Sequence, residues 1–274
     1  MKIGMKELLL SLACLATSIS AFAGTNHSTK ATSHPASIDK LPKICSENYV
    51  DVIFAGGIAG VHTRDSHMRV TSTEIDTLAQ TNSYQWDDGT GKLGLGYVYY
   101  MVDGPRISDE LRWFPTIEPM LNLYYSNLDV NGDIYRFNSV LLNDLRYSTT
   151  IKNTRLMLDV ALAIVSQGKY SLYALLGIGE GWSRLSYRDR LGDATRISLN
   201  TDNETNVVWE WGVGASYAFN KTVNVSLEYI FTDLGRMHTS NTGTTNGIAM
   251  PQLVGANFQV TTQAFLLGLH VAIG

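Results

Sequence analysis

Apolar and polar residues alternate along two adjoining segments in the second half of the chain. Residues 207–219 carry Val, Trp, Ala, Tyr and Phe at odd positions, and Val, Glu, Gly, Ser and Ala at even positions. Residues 223–231 repeat the pattern, with Asn, Ser, Glu and Ile at the even positions. Because successive side chains of a β-strand point to opposite faces, each segment predicts a strand with one apolar face. Apolar faces this continuous meet either a protein core or lipid.

The same alternation predicts eight strands, joined by connections of two lengths. The strands are expected at 50–62, 92–103, 112–127, 154–166, 170–185, 206–219, 222–233 and 258–273. Long connections (63–91, 128–153, 186–205 and 234–257) alternate with short ones (104–111, 167–169 and 220–221). Short turns at one end and long loops at the other are typical of outer-membrane barrels. The sequence therefore predicts an all-β fold, an eight-stranded antiparallel up-and-down transmembrane β-barrel over residues 50–274.

The phase of the strands divides their side chains between the lumen and lipid. The polar network expected in the lumen consists of Lys92, Glu118, Arg155, Asp159, Glu210, Glu228 and His270. The lipid-facing aromatic girdle is expected to consist of Tyr97, Tyr99, Trp209, Trp211, Tyr217, Phe219 and Phe265. A barrel of about eight strands is just wide enough for its own side chains, so we expect the charged groups to pair and fill it. A narrow porin-like channel, gated by a rearranging ion pair, is the alternative.

The N-terminal residues predict export. Lys2 and Lys6 precede the apolar run Leu8–Ile19, which ends at Ala21-Phe22-Ala23. A basic start, a short apolar stretch and small residues at the end indicate a signal peptide over residues 1–23. Residues 24–49, rich in Ser, Thr, His and Pro, predict a flexible periplasmic tail.

Composition and motifs exclude several other functions. The net charge of −4 argues against a nucleic-acid partner, which requires a basic surface. Glycines 177, 179 and 181 alternate within a predicted strand, so they do not form a phosphate-binding loop, and no cofactor is expected. Asp129–Asp133 has the spacing that opens a calcium loop, but the next residue is Ile134 instead of Gly. No metal site is expected either.

Two segments resemble a known family. Leu227–Gly235 reads LEYIFTDLG and resembles the signature that ends the seventh strand of opacity-type, OmpA-like outer-membrane barrel proteins, with Ile230 where that family has a basic residue. The glycine-spaced segment Leu176–Trp182 is also similar to that group. The resemblance implies a surface protein of the Gram-negative bacterial outer membrane, with both termini in the periplasm.

These patterns favour a structural or surface-interaction role without catalysis. Four long extracellular loops of a monomer would contact lipopolysaccharide, host molecules or other surface ligands, and outer-membrane lipid would surround the barrel. One alternative is a lipid A-modifying hydrolase that uses His238 and Ser240, in a His-x-Ser-Asn motif with no Asp or Glu between Asp233 and the C-terminus. Another is a soluble periplasmic ligand-binding barrel, with Trp211, Val213 and Phe265 inside.

Overall fold

The computed structural model describes residues 48–70, 74–81, 84–101, 111–192, 194–250 and 255–273. The predicted signal peptide and nearly all of the predicted tail lie outside these residues. Within the described ranges, no helix is long and apolar enough to cross a membrane.

The described residues form strands joined by tight connections. The eight long strands are β1 (Tyr49–Arg69), β3 (Gln85–Tyr100), β5 (Thr116–Tyr135), β6 (Leu145–Gln167), β7 (Tyr170–Leu191), β8 (Ala194–Ala218), β9 (Val223–His238) and β12 (Ala256–Ile273). The short strands are β2 (Ile75–Gln80), β4 (Leu111–Trp113), β10 (Gly243–Thr245) and β11 (Ile248–Met250). One turn of 3-10 helix, Arg136–Asn138, follows β5.

The eight long strands close into a ring. Each pairs in antiparallel fashion with the next, in the order β1, β3, β5, β6, β7, β8, β9, β12. The ring closes between β12 and β1, where the register runs from Val50↔Ile273 to Met68↔Ala256. The predicted eight-stranded antiparallel barrel is therefore confirmed.

The predicted long connections differ from the structure, because the strands continue into them. β5 and β6 stay paired as far as Ile134↔Leu145, and β7 and β8 as far as Leu191↔Ala194. β2 pairs with both β1 and β5, and β10 pairs with β8 and β11. At the end of the barrel opposite the short turns, the wall therefore includes most of the sequence that was expected to form four long loops.

Side chains alternate between the two faces along the full length of each strand, but the apolar residues move from the outer face to the inner face partway along it. Toward the short turns, β6 buries Arg155 and Asp159 and places Val160 on the outside. Toward the far end, the same strand buries Tyr147 and Ile151 and exposes polar side chains such as Lys152. The expectation of apolar-out and polar-in alternation holds only for the first section.

The two sections have opposite outer surfaces. We call the first the apolar band; its exposed outer side chains include Val50, Phe54, Ile58, Leu93, Leu95, Leu123, Tyr125, Leu176, Ile178, Val207, Val213, Leu227, Leu267, Leu269 and Ile273. The second, which we call the extension, comprises β2, β10, β11 and the adjoining ends of the long strands. Its interior is an apolar cluster that includes Leu128, Ile134, Tyr147, Ile151, Leu185, Tyr187, Ile197, Leu199, Met237, Phe258 and Val260.

Aromatic stacking fills the extension. Tyr147 and Tyr187 stack at 6.1 Å, and the ring centroid of Phe258 lies 6.3 and 6.4 Å from theirs. Fully burying one such side chain contributes about 1.5–3 kcal/mol. This apolar interior explains why the strands remain paired beyond the apolar band.

The soluble-barrel alternative is wrong. It places Trp211, Val213 and Phe265 inside, whereas they are 40%, 50% and 44% exposed on the outer face. The lumen beside them holds charged side chains instead.

A charge on the apolar band should prevent assembly. Val213→Arg places a guanidinium on the lipid face, at a cost of about 2–4 kcal/mol near the bilayer midplane. The matched variant Thr195→Arg introduces the same side chain at an exposed position in β8 within the extension. We expect Val213→Arg to be lost from the outer-membrane fraction and to lose the heat-dependent gel shift, and Thr195→Arg to retain both. Equal recovery of the two variants would contradict the assignment of the apolar band.

Candidate functional site

Charged side chains fill the lumen at the level of the apolar band. Six of the seven residues predicted there are buried: Lys92, Arg155, Asp159, Glu210, Glu228 and His270. Glu118 is partly buried, with Oε1 enclosed next to Gly96. The structure therefore brings side chains from six different strands into one polar layer.

Glycines in the wall make room for this layer. A Cβ atom on Gly177 would lie 1.7 Å from Asp159 Oδ1, and one on Gly94 would lie 1.9 Å from Asn122 Oδ1. Any side chain at these positions would displace the polar groups opposite. The glycine spacing thus serves packing across the lumen.

Lys92 and Glu228 form the first ion pair. Lys92 Nζ donates to Glu228 Oε2 at 2.5 Å, and the Tyr173 hydroxyl donates to Glu228 Oε1 at 2.9 Å. Both charged side chains are nearly inaccessible. Buried charges persist only when they are paired in this way.

Arg155 and Glu210 form the second pair. Arg155 Nε lies 3.4 Å from Glu210 Oε2, and the guanidinium stacks 4.1 Å from the centre of the Tyr124 ring. Asp159 beside them accepts a hydrogen bond from Asn122 Nδ2 at 2.5 Å. Asn122 and Tyr124 were not among the predicted site residues, although their strand parity with Glu118 marks them as inward-facing.

The third cluster contains an acid that the sequence analysis missed. Asp51 Oδ2 lies 2.6 Å from His270 Nδ1, and Ser226 Oγ lies 2.9 Å from His270 Nε2. Asp51 faces the lumen because β1 and β12 pair across the closing seam, with Asp51↔Ala272 and Ile53↔His270. The alternation of Asp51 with Val50 and Val52 is the signal that could have identified it.

Asp51 contacts His270 and His270 contacts Ser226, as the acid, base and nucleophile of a hydrolase triad do. The groups around Ser226 are unfavourable for catalysis. Ser226 lies within β9 with strand partners on both sides, so the backbone amides around it serve the sheet and not an oxyanion. Glu228 Oε1 lies only 3.5 Å from the Ser226 hydroxyl and would repel a developing negative charge. We interpret the three residues as part of the lumen network.

The alternative hydrolase pair does not come together either. His238 Nδ1 lies 3.1 Å from Glu204 Oε1, while the Ser240 hydroxyl bonds that of Thr242 at 3.0 Å. Glu204, from β8, is an acid that precedes the His-x-Ser-Asn motif in the chain, whereas the sequence analysis considered only acids after Asp233. His238 and Ser240 thus engage different partners.

The predicted girdle residues lie on the outer wall. Six of them are exposed, namely Tyr97, Tyr99, Trp209, Trp211, Phe219 and Phe265, and Tyr217 is partly buried. Trp209 and Trp211 pack against Phe231 at 5.7 and 5.8 Å. Tyr217 packs against Tyr170 near the short turns, with the ring centroids 5.0 Å apart. Aromatic rings at both limits of an apolar band are typical of membrane–water interfaces.

Cations line one side of the extension. We call Arg146, Lys152, Arg184, Arg188 and Arg190 the basic strip; all are exposed on β6 and β7. The register places Arg146 opposite Arg190, and Lys152 opposite Arg184. Like charges directly opposite each other are destabilising, so this arrangement has a cost in the free protein. Two of its members contact neighbouring strands: Arg184 Nε donates to Asn203 Oδ1 at 2.9 Å, and Arg146 Nε lies 3.8 Å from Asp133 Oδ1.

Two buried acids lie inside the same end of the barrel. Asp76 accepts the backbone N–H of Phe137 at 3.0 Å, and Asp189 accepts that of Ile197. Burial raises the pKa of Asp189 to about 6; hydrogen bonding to Ile197 and the charge of Arg196 offset part of this effect. Burial also raises the pKa of Asp76. Burial thus disfavours the charged form of both carboxyls relative to the same groups in water.

Comparison with known proteins places this geometry in a family. The family model described as outer membrane protein beta-barrel domain matches residues 55–270. The chain is similar in structure to the outer membrane protease OmpT from Escherichia coli, with a TM-score of 0.49, 9% identity, and coverage of 83% of this chain and 97% of that one. It is also similar to OprG from Pseudomonas aeruginosa (TM-score 0.37, 12% identity, coverage 82% and 97%) and to neisserial surface protein A (0.35, 11%, 83% and 100%). No curated protein matches the sequence.

Removing one partner of a buried pair should destabilise the barrel. Lys92→Met leaves Glu228 charged and buried, which costs about 3–5 kcal/mol. The double variant Lys92→Met/Glu228→Gln removes both charges and should recover most of that loss. Urea unfolding of the refolded protein in detergent, followed by tryptophan fluorescence, measures both. A double variant no more stable than Lys92→Met would contradict the pairing.

The stability of the extension should fall as pH rises from about 4 to 7. The pKa of Asp189 in the folded protein, about 6, exceeds its ordinary value of 3.8, so the folded state binds more protons in this window. Asp189→Asn should therefore raise stability at pH 7.5, by no more than about 3 kcal/mol, and reduce the pH slope. Urea unfolding at pH 4.5 and 7.5 tests this, with the exposed Asp202→Asn as control. An unchanged slope in Asp189→Asn would refute the assignment.

Proposed function

We propose, from the premise that the chain belongs to the outer membrane protein β-barrel domain family, that this outer-membrane protein is a non-catalytic surface-interaction protein. Its contact surface is the basic strip on the extension. The occupant is an anionic glycan, that is, a sugar chain bearing phosphate or sulfate groups.

The basic strip supports the proposal by its spacing and charge. Side chains two residues apart on one face of a strand are about 6.7 Å apart, and neighbouring strands lie about 4.8 Å apart. From Lys152 to Arg146 the strip therefore spans about 20 Å. Four of its five members are arginines, whose guanidinium groups bind phosphate and sulfate oxygens in bidentate fashion. A bound polyanion would also relieve the repulsion between the opposed cations.

The position of the strip allows two sources of the same chemistry. Lys152 and Arg184 each lie two residues beyond the pair Thr154 and Trp182, at the limit of the apolar band. They are at the height of lipid phosphates in the same membrane. Arg146, Arg188 and Arg190 lie farther out, where lipopolysaccharide sugars or glycans of another cell are in reach.

A monomer is sufficient for this role. The closed ring leaves no unpaired edge among the eight long strands, so no backbone group of the wall requires a second chain. The lumen is filled by paired charges and, beyond them, by the apolar cluster of the extension. Ion conduction would have to cross both layers, which favours the interaction role over the channel.

Charge reversal in the basic strip should weaken glycan binding. Arg188→Glu/Arg190→Glu should weaken binding of sulfated dextran at least tenfold at low salt, because two attractive charges become repulsive. The matched control Arg64→Glu/Arg236→Glu alters two exposed arginines on strands β1 and β9, away from β6 and β7, and should bind as the wild type does. Surface plasmon resonance on protein in nanodiscs gives both affinities.

Two further arms identify the source of the anion. Inhibition of sulfated-dextran binding by purified lipopolysaccharide assigns the basic strip to phosphate in the same membrane. Sulfated-dextran binding that lipopolysaccharide does not inhibit assigns it to an external glycan. Wild-type binding by Arg188→Glu/Arg190→Glu, or equal loss in both double variants, would overturn the proposal.

A further inference from the structure

Carboxylates outnumber fixed cations in the polar layer of the lumen. Among the described residues at this level, Asp51, Glu118, Asp159, Glu210 and Glu228 face only Lys92 and Arg155. Glu228 forms an ion pair with Lys92, and Glu210 forms one with Arg155. Asp159 accepts a hydrogen bond from the amide of Asn122. Asp51 is hydrogen-bonded to the imidazole of His270, and Glu118, which takes part in none of these pairs, lies beside both.

These three side chains converge on one point. Each offers a ligand atom, and the three atoms all lie within 4.8 Å of one another. Asp51 Oδ1 and Glu118 Oε1 are buried and have no hydrogen-bond partner. Leaving two carboxylate oxygens buried and unsatisfied is costly, so the cluster calls for a cation or a shared proton.

We propose that Asp51, Glu118 and His270 bind a divalent transition-metal cation of the zinc or manganese class. One imidazole and two carboxylates suit these metals, whereas calcium and magnesium prefer oxygen ligands alone. A cation with metal–ligand distances of about 2.0–2.2 Å would replace the proton between His270 Nδ1 and Asp51 Oδ2, and water completes the coordination. Ser226, at 2.9 Å from His270 Nε2, orients the ring through its second nitrogen.

The backbone explains both the access to this site and its effect. Asp51, Glu118 and His270 lie within four residues of the ends of β1, β5 and β12, on the side of the short turns. A cation therefore reaches them from the periplasmic mouth of the barrel. Bound there, it links β5 to the seam between β1 and β12, across the intervening strand β3.

Cobalt titration of the untagged, metal-free barrel in detergent tests the proposal. Co²⁺ bound by one imidazole and two carboxylates gives a visible absorption band that Zn²⁺ abolishes. We expect Glu118→Gln and His270→Gln to weaken Co²⁺ binding at least tenfold. The matched variant Asp159→Asn makes the same acid-to-amide change elsewhere in the lumen and should bind as the wild type does. The heat-dependent gel shift verifies that each variant is folded.

A stability measurement gives an independent readout. Zn²⁺ should raise the thermal midpoint of the wild type and of Asp159→Asn, because a ligand that binds only the folded state stabilises it. It should not do so in Glu118→Gln. Absence of the Co²⁺ band from the wild type at millimolar metal would overturn the proposal and leave a shared proton as the neutralising charge. Retention of the band in His270→Gln would also overturn it, since the cation would then be bound elsewhere, for example at His27 and His34.

Discussion

The closure of the strand ring is the constraint on which the other features depend. In lipid, every backbone N–H and C=O must find a partner within the protein, so a sheet can cross a membrane only as a closed barrel. Here the β1–β12 pairing completes that closure along nearly the whole length of both strands. It also fixes which side chains point inward. Asp51 and His270 meet only because these two strands, at opposite ends of the described chain, are neighbours.

Side chains alternate between the inner and outer faces of the wall along the whole barrel, but the outer face meets lipid in one section and water in the other. Within the apolar band the outer wall meets lipid and the lumen holds paired charges, whereas in the extension the outer wall meets water and the interior is apolar. Arg155 and Ile151 lie on the same face of β6, yet one belongs to an ion-pair network and the other to a hydrophobic core. The barrel wall thus continues beyond the apolar band with a polar outer surface and an apolar interior.

The two ends of the molecule carry different chemistry. At the periplasmic end, carboxylates outnumber fixed cations in the lumen, which favours binding of a cation. At the outer end, the exposed Arg188 and Arg190 give the wall a positive charge, which favours binding of an anion. The apolar interior of the extension separates the two. Binding at one end therefore need not alter the other, and the two proposals can fail independently.

The sequence by itself determined the eight strands, their antiparallel order and the polarity of their faces within the membrane, because alternation with period two is a local property. It did not determine where the strands end, since the expected pattern reverses at the start of the extension and residues 186–205 therefore look like a loop. Nor did it reveal the partners of the lumen residues. His270 lies 219 positions from Asp51, and Glu204 precedes His238 by 34. Such contacts depend on strand register, which only the closed tertiary structure decides.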